Sequence, residues 1–144
     1  MASAMTKRRT YLDANILIAA WNGDAESRGW ARAVLDDPER QLLTSDFVRL
    51  EVLPKPGHDR RTIEIAFMQA ILSVAEDIPV TGALVQDALV LAGRHDLSAL
   101  DALHLAAAAV GAAEEVVTFK GPEKPMCRQT EVNVVSLRAV RDQR

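Results

Sequence analysis

Tyr11-Leu12-Asp13-Ala14-Asn15-Ile16-Leu17-Ile18-Ala19-Ala20-Trp21 is the stretch on which the fold turns. Thr10-Tyr11-Leu12 favours a strand and stops at Asp13, and the nearly all-apolar run from Ala14 to Trp21 reads as a largely buried helix. Asp13 therefore sits where a first strand hands over to a first helix. In α/β sheets with parallel strands, such strand-end acids face the carboxyl edge, where ligands bind.

The same alternation continues outward. Asn22-Gly23 turns the chain and Asp24 caps a helix to about Leu35, which Asp36-Asp37-Pro38-Glu39 breaks. Gln41 to Thr44 reads as a short strand, and Ser45-Asp46 caps a helix carrying Glu51. Leu53 to Asp59, with two prolines and a glycine, reads as a loop. Apolar residues recur at helical spacing from Arg60 to Val74 and from Thr81 to Gly93. Ser98 caps a strong helix former that ends at Gly111. Glu115 to Phe119 and Val132 to Val135 read as strands, the second followed by a helical or frayed tail. Short strands alternating with helices predict an α/β domain with a mostly parallel central sheet covered on both faces.

Composition agrees with that class. The chain has 144 residues, enough for one compact domain, and 49% of them are hydrophobic, enough to bury a core. Aromatics are only 4%, which suits Ala/Val/Leu/Ile helices on a sheet better than an aromatic-rich sandwich. A formal charge of -3 supplies no global positive field for nucleic acid, although clustered carboxylates can recruit positive charge as metal. One cysteine, Cys127, excludes an internal disulfide framework and a Cys-rich zinc site. The sequence shows neither a signal peptide nor an apolar run of membrane-spanning length, so the expected location is the cytoplasm, with no membrane partner. Residues 1–8 read as an N-terminal extension, with Met1 to Met5 a tag remnant ahead of a native start. The domain is expected over 9–137, with a tail over 138–144.

Three acids stand in apolar surroundings: Asp13, Glu51 between Leu50 and Val52, and Asp101 between Leu100 and Ala102. A buried carboxylate is costly unless it is paired, hydrogen-bonded or bound to a cation. If all three meet, mutual repulsion raises some of their pKa values unless a cation neutralises them, and hard oxygen ligands favour Mg²⁺ or Mn²⁺. Taken singly, each has a plainer reading: Asp13 as a cap or turn residue, Glu51 as an exposed helix position, Asp101 as a first-turn acid favoured by the helix dipole. His104, three residues after Asp101, reads as a packed or hydrogen-bonded structural histidine, with an acid–base role the alternative. His58 and His95 have no zinc spacing. Arg49, Arg60 and Arg61 are candidate phosphate contacts or a solvated helix face.

These motifs resemble the PIN domain family, and within it the VapC-type toxins of bacterial toxin–antitoxin pairs. Tyr11 to Leu17 resembles the opening Asp-x-Asn motif, Thr44 to Val52 the second motif with its Glu, and Leu97 to Ala106 the third, the most specific match. Val116 to Phe119 resembles the strand entering the fourth. The resemblance covers about residues 9–137 and implies a three-layer α/β/α fold. It implies Mg²⁺- or Mn²⁺-dependent hydrolysis of RNA, with Asp13, Glu51 and Asp101 as catalytic and metal-binding residues. The ion would lower the pKa of bound water and polarise the phosphate. Asn15 would orient substrate or a ligand, and Thr118 would position a ligand water. A cognate antitoxin and a homodimer are the implied partners, for which the Leu/Ala-rich helices between Arg60 and Gly93 offer a groove.

The chain departs from the family pattern in one place. Where the fourth motif continues Thr-x-Asp, this sequence has Thr118-Phe119-Lys120. Lys120 has three readings: a cation pairing with Asp13 or Asp101, an RNA-phosphate contact, or a solvated loop residue. Glu123 is the acid best placed to reach back in place of the missing one, ahead of Asp96. The departure keeps alive a catalytically weakened PIN fold that binds RNA or protein. A different rival, a dehalogenase-type phosphatase with Asp13 as nucleophile, fits Asn15 poorly. Neither a phosphate-binding Gly-Lys-Ser/Thr loop nor a Gly-x-Gly-x-x-Gly fingerprint is present.

Overall fold

The computed structural model describes residues 6–142; residues 1–5 of the extension and 143–144 of the tail lie outside the described residues. Five strands form one all-parallel sheet in the order β3-β2-β1-β4-β5. They are β1 (Arg8–Leu12), β2 (Arg40–Thr44), β3 (Glu76–Asp77), β4 (Glu115–Thr118) and β5 (Val134–Ser136). Helices cover the sheet as a three-layer α/β/α domain: α1 (Ala14–Asn22), α2 (Ala25–Leu35), α3 (Asp46–Val52), α4 (Pro54–His58), α5 (Thr62–Val74), α6 (Gly82–His95), α7 (Ala99–Val110), α8 (Pro125–Arg128) and α9 (Leu137–Asp142).

The first strand is the centre. β1 pairs with β2 from Arg8↔Arg40 to Tyr11↔Leu43, and with β4 from Thr10↔Glu115 to Leu12↔Val117. The chain winds outward through β2 and β3, then reverses to β4 and β5, so the crevice between the ends of β1 and β4 is the topological switch point. Tyr11, Leu12, Leu43, Val116 and Val117 are buried, as expected of strands covered on both faces. At the opposite end of the sheet, buried Glu115 accepts from Arg40 Nε at 2.9 Å and Thr10 Oγ1 at 2.7 Å, tying β4 to β1 and β2.

The predicted caps are present: Asp24 accepts from Ser27 N–H, Ser45 from Phe47 N–H, and Ser98 from Asp101 N–H. Two local expectations are revised, and two short elements are new. Residues 53–59, read as a loop, contain α4, because Pro54 and Pro56 fall in its first turn, where backbone N–H groups have no helical partner to lose. The short β3 and α8 were not expected. β3 is two exposed acids without a hydrophobic pattern, held by backbone pairing and by Arg9 on Glu76 (2.7 Å) and Arg49 on Asp77 (2.6 Å). The last strand runs Val134–Ser136, slightly later than Val132 to Val135. As expected α7 ends at Gly111, and the next residue, exposed Ala112, is left-handed at φ 52. Gly111 allows a close approach of Ile78, whose Cδ1 would lie 2.6 Å from a Cβ there and would have to move.

Among the described residues no helix is long and apolar enough to cross a membrane.

Candidate metal centre

Because all strands run parallel, the ends of β1, β2 and β4 open on one edge, and three helices bring side chains to it. Asp13 follows β1 directly, and its backbone N–H bonds Val117 O at 3.1 Å. Asp13 is 3% exposed. Oδ2 accepts from Thr118 Oγ1 at 2.8 Å and from Asn15 Nδ2 at 3.3 Å. Asn15 Oδ1 in turn accepts from Phe119 N–H at 3.0 Å. Asn15 and Thr118 therefore clamp one oxygen of Asp13 and set the plane of its carboxylate.

The other oxygen, Oδ1, faces His104 Nε2 at 3.9 Å, beyond hydrogen-bond reach. Burial drives the Asp13 pKa above the usual carboxylate range. Proximity to His104, the Thr118 hydroxyl and Lys120 pull it back, while Glu51 adds repulsion. A buried, incompletely satisfied anion is what a cation neutralises.

Glu51 arrives from α3, half-buried, and its Oε1 is 2.8 Å from His104 Nε2. His104, fully buried on α7, bonds Tyr11 Oη through Nδ1 at 2.8 Å, and Tyr11 Oη is 2.7 Å from Ser45 Oγ. A consistent direction of bonding runs through this chain. Phe47 N–H donates to Ser45 Oγ at 3.2 Å, Ser45 to Tyr11, Tyr11 to His104 Nδ1, and Nε2–H to the Glu51 carboxylate. Burial pushes the Tyr11 phenol well up, so it remains a donor. The relay fixes the tautomer and the orientation of Glu51 together.

One ligand atom each from Asp13, Glu51 and His104 lie within 4.8 Å of one another. The two carboxylates are hard oxygen donors that suit Mg²⁺ or Mn²⁺, the ion implied by the sequence motifs, while His104 Nε2–H orients Glu51. Asp101 lies one helical turn before His104 on α7 and is directed to Lys120, with Oδ1 3.6 Å from Nζ. Of the three readings of Lys120, the structure shows the pairing with Asp101. Glu123 is exposed, and its carboxylate folds over Gly121, where a Cβ would stand 2.6 Å from Oε2. Asp96 is the left-handed cap of α6, at φ 55. Arg49 pairs with Asp46 and Asp77, and Arg61 with Asp59 and Glu64.

His104 is the member that sequence reasoning underweighted. Its only local signal was its place one turn beyond Asp101, because both partners that define it, Tyr11 and Glu51, are far away in the chain.

An α/β/α domain with an acid–histidine group at the carboxyl edge of its switch point is thus the class defined by fold and site. A model of the PIN domain matches residues 10–119, and the chain belongs to that family. Among solved structures, its fold is similar to a chain in the crystal structure of VapBC2 from Rickettsia felis bound to a DNA fragment from their promoter. That match has 15% identity over 89% of this chain and 98% of that one, with a TM-score of 0.69. A toxin–antitoxin complex from Klebsiella pneumoniae is similar at 21% identity over 88% and 96%, with a TM-score of 0.67. FitAcB from Neisseria gonorrhoeae follows at 17% over 88% and 96%, with a TM-score of 0.60. At these identities the likeness is one of fold. No curated protein matches in sequence.

Proposed function

We propose that this chain is a divalent-metal-dependent endoribonuclease, the toxin of a VapBC-type pair, acting in the cytoplasm. The observation that carries the reading is the convergence of Asp13, Glu51 and His104 at the switch point. Family membership supports nuclease chemistry, and the fold shared with toxin–antitoxin chains supports the biological setting. Asp13 and Glu51 would hold Mg²⁺ or Mn²⁺, with Asp101 alongside and His104 Nε2–H orienting the Glu51 carboxylate. When bound, the ion supplies Lewis-acid polarisation of the phosphate and acidifies its water.

The chain's own residues supply orientation. Thr118 and Asn15 hold Asp13 in one plane, and the Ser45–Tyr11–His104 relay holds Glu51. Asp13 and His104 are buried, and charge held away from water acts more strongly on an incoming phosphodiester. No side chain serves as a covalent nucleophile in this scheme; water attacks phosphorus and the ribose oxygen leaves.

A partner protein is the expected regulator, and a homodimer the expected assembly. A wholly apolar groove between α6 and α7, lined by Val85, Leu89, Ala92, Ala99 and Leu103, supports docking of an apolar segment. The Lys120–Asp101 ion pair favours a second reading, a PIN fold with weakened catalysis that binds RNA.

Cleavage of a mixed RNA pool with Mn²⁺, Mg²⁺ or chelator separates the two. Metal-dependent cleavage by the wild type, lost in Asp13→Asn, establishes the nuclease. RNA retained on the wild type without cleavage in any metal establishes the binding module.

A further inference from the structure

We propose that the Lys120 ammonium, held against Asp101 beside the Asp13–Glu51–His104 group, is this site's resident second cation, so that the centre takes one divalent ion and not two. The inference rests on the metal-centre reading above and specifies its stoichiometry.

The backbone of Lys120 is pinned on both sides of the peptide. Its N–H donates to Thr118 Oγ1 at 3.0 Å; its carbonyl accepts from Ser136 Oγ at 2.6 Å and lies 3.7 Å from Cys127 Sγ. That anchoring starts the side chain from the end of β4, next to the hydroxyl that bonds Asp13. Nζ then reaches Asp101 at 3.6 Å, with the two side chains 34% and 19% exposed. This partial burial makes the pair worth more than a surface contact. The same ammonium is close enough to Asp13 to stabilise its charged form.

The acids are thereby divided. Asp13 and Glu51 face His104, whereas Asp101 is neutralised within its own pair and is not part of the group of convergent ligand atoms. Asp13 Oδ1, on a side chain more than nine-tenths buried, receives no hydrogen bond among the described residues and points into that group. One divalent ion answers that demand.

Formal charge gives the same count. Asp13, Glu51 and Asp101 carry three negative charges and Lys120 one positive, leaving two, the charge of a single divalent ion. A second ion would sit against an ammonium already occupying the Asp101 carboxylate, which like-charge repulsion opposes. An aspartate at position 120 would change the sum to four negative charges, the demand of two ions.

The test is Mn²⁺ binding, by calorimetry and by the paramagnetic resonance signal of free ion, on the wild type, Lys120→Asp, Lys120→Gln, Asp101→Asn and Asp13→Asn. Far-UV circular dichroism verifies the fold of each. The expected result is one ion per wild-type chain and two per Lys120→Asp chain. Lys120→Gln should still bind one ion, about tenfold more tightly because the repulsion is gone. Asp101→Asn should retain one ion bound about tenfold more weakly, because the ammonium it frees opposes the ion, and Asp13→Asn should lose it.

Two ions on the wild type, or an Asp101→Asn affinity that falls as far as that of Asp13→Asn, overturns this inference and leaves the metal centre standing. So does a folded Lys120→Asp that still takes one ion, or a Lys120→Gln affinity no higher than wild type. A folded wild type that binds no Mn²⁺ overturns the metal centre itself.

Discussion

Replacing Thr118 by valine removes a hydroxyl at nearly constant volume from a residue that is 0% exposed. The loss is therefore one of bonding and leaves the packing in place. The hydroxyl donates to ionised Asp13 at 2.8 Å, a charge-assisted bond worth about 1.5–3 kcal/mol. It also accepts from Lys120 N–H and Asn15 Nδ2. Asn15 keeps Asp13 as an alternative acceptor, but the Lys120 N–H has none, adding about 1 kcal/mol. Thr118→Val should cost about 2–4 kcal/mol, lowering Tm by about 5–15 °C for a domain of this size. Thr118→Ser should recover most of it.

The pH dependence is the sharper part. Once Asp13 is protonated, the lost bond is an ordinary neutral one worth about 1 kcal/mol, so the deficit should shrink by roughly half as pH falls through the raised Asp13 pKa. Urea unfolding of both proteins with chelator, at pH 8 and at the lowest pH at which both still fold, reads this directly. A deficit below about 0.5 kcal/mol, or one equal at both pH values, would refute the clamp described for Asp13.

Three further perturbations follow from the same geometry. Asp13→Asn should stabilise the metal-free protein at pH 7.5 by on the order of 1 kcal/mol, because it removes a buried charge. With the folded pKa raised, the penalty is full above that pKa and fades as pH falls through it, so the advantage in a thermal melt must fade in acid. Arg40→Ala leaves Glu115 buried without its closest cation and should cost about 2–4 kcal/mol by urea unfolding; a cost under about 1 would show the pair to be dispensable. Ala112→Gly relieves a left-handed alanine on the surface and should raise stability by about 0.5–1 kcal/mol, visible as a Tm higher by about 2–4 °C.

The parts of the fold legible in the sequence are those written locally. Asp13 between a strand and an apolar helix, and the serine caps at 45 and 98, carry their signals within a few residues. β3 carries none, since Glu76 and Asp77 are exposed and owe their conformation to Arg9 and Arg49, elements away. The two prolines in the first turn of α4 misled for a related reason: a proline breaks a helix only where an N–H is needed, and position within the first turn is not marked in the sequence. At the site, the acids were visible and their grouping was not. That Asp101 meets Lys120, just past β4, and not His104's partners is a matter of tertiary packing, which no local pattern records.

The position of β1 in the middle of the sheet has a consequence for the order in which the molecule comes into being. Its partners begin at Arg40 on one side and at Glu115 on the other, so the earliest strand to be synthesised is among the last to be enclosed. Pairing across so long a separation is slow, because the loop must close before its contacts repay it. A nascent chain that stops short of Thr118 carries Asp13 and Glu51 but has neither β4 nor the clamp on Asp13. The clamp on Asp13 is thus among the last contacts of the site to form, since it waits for β4 to be made and paired with β1.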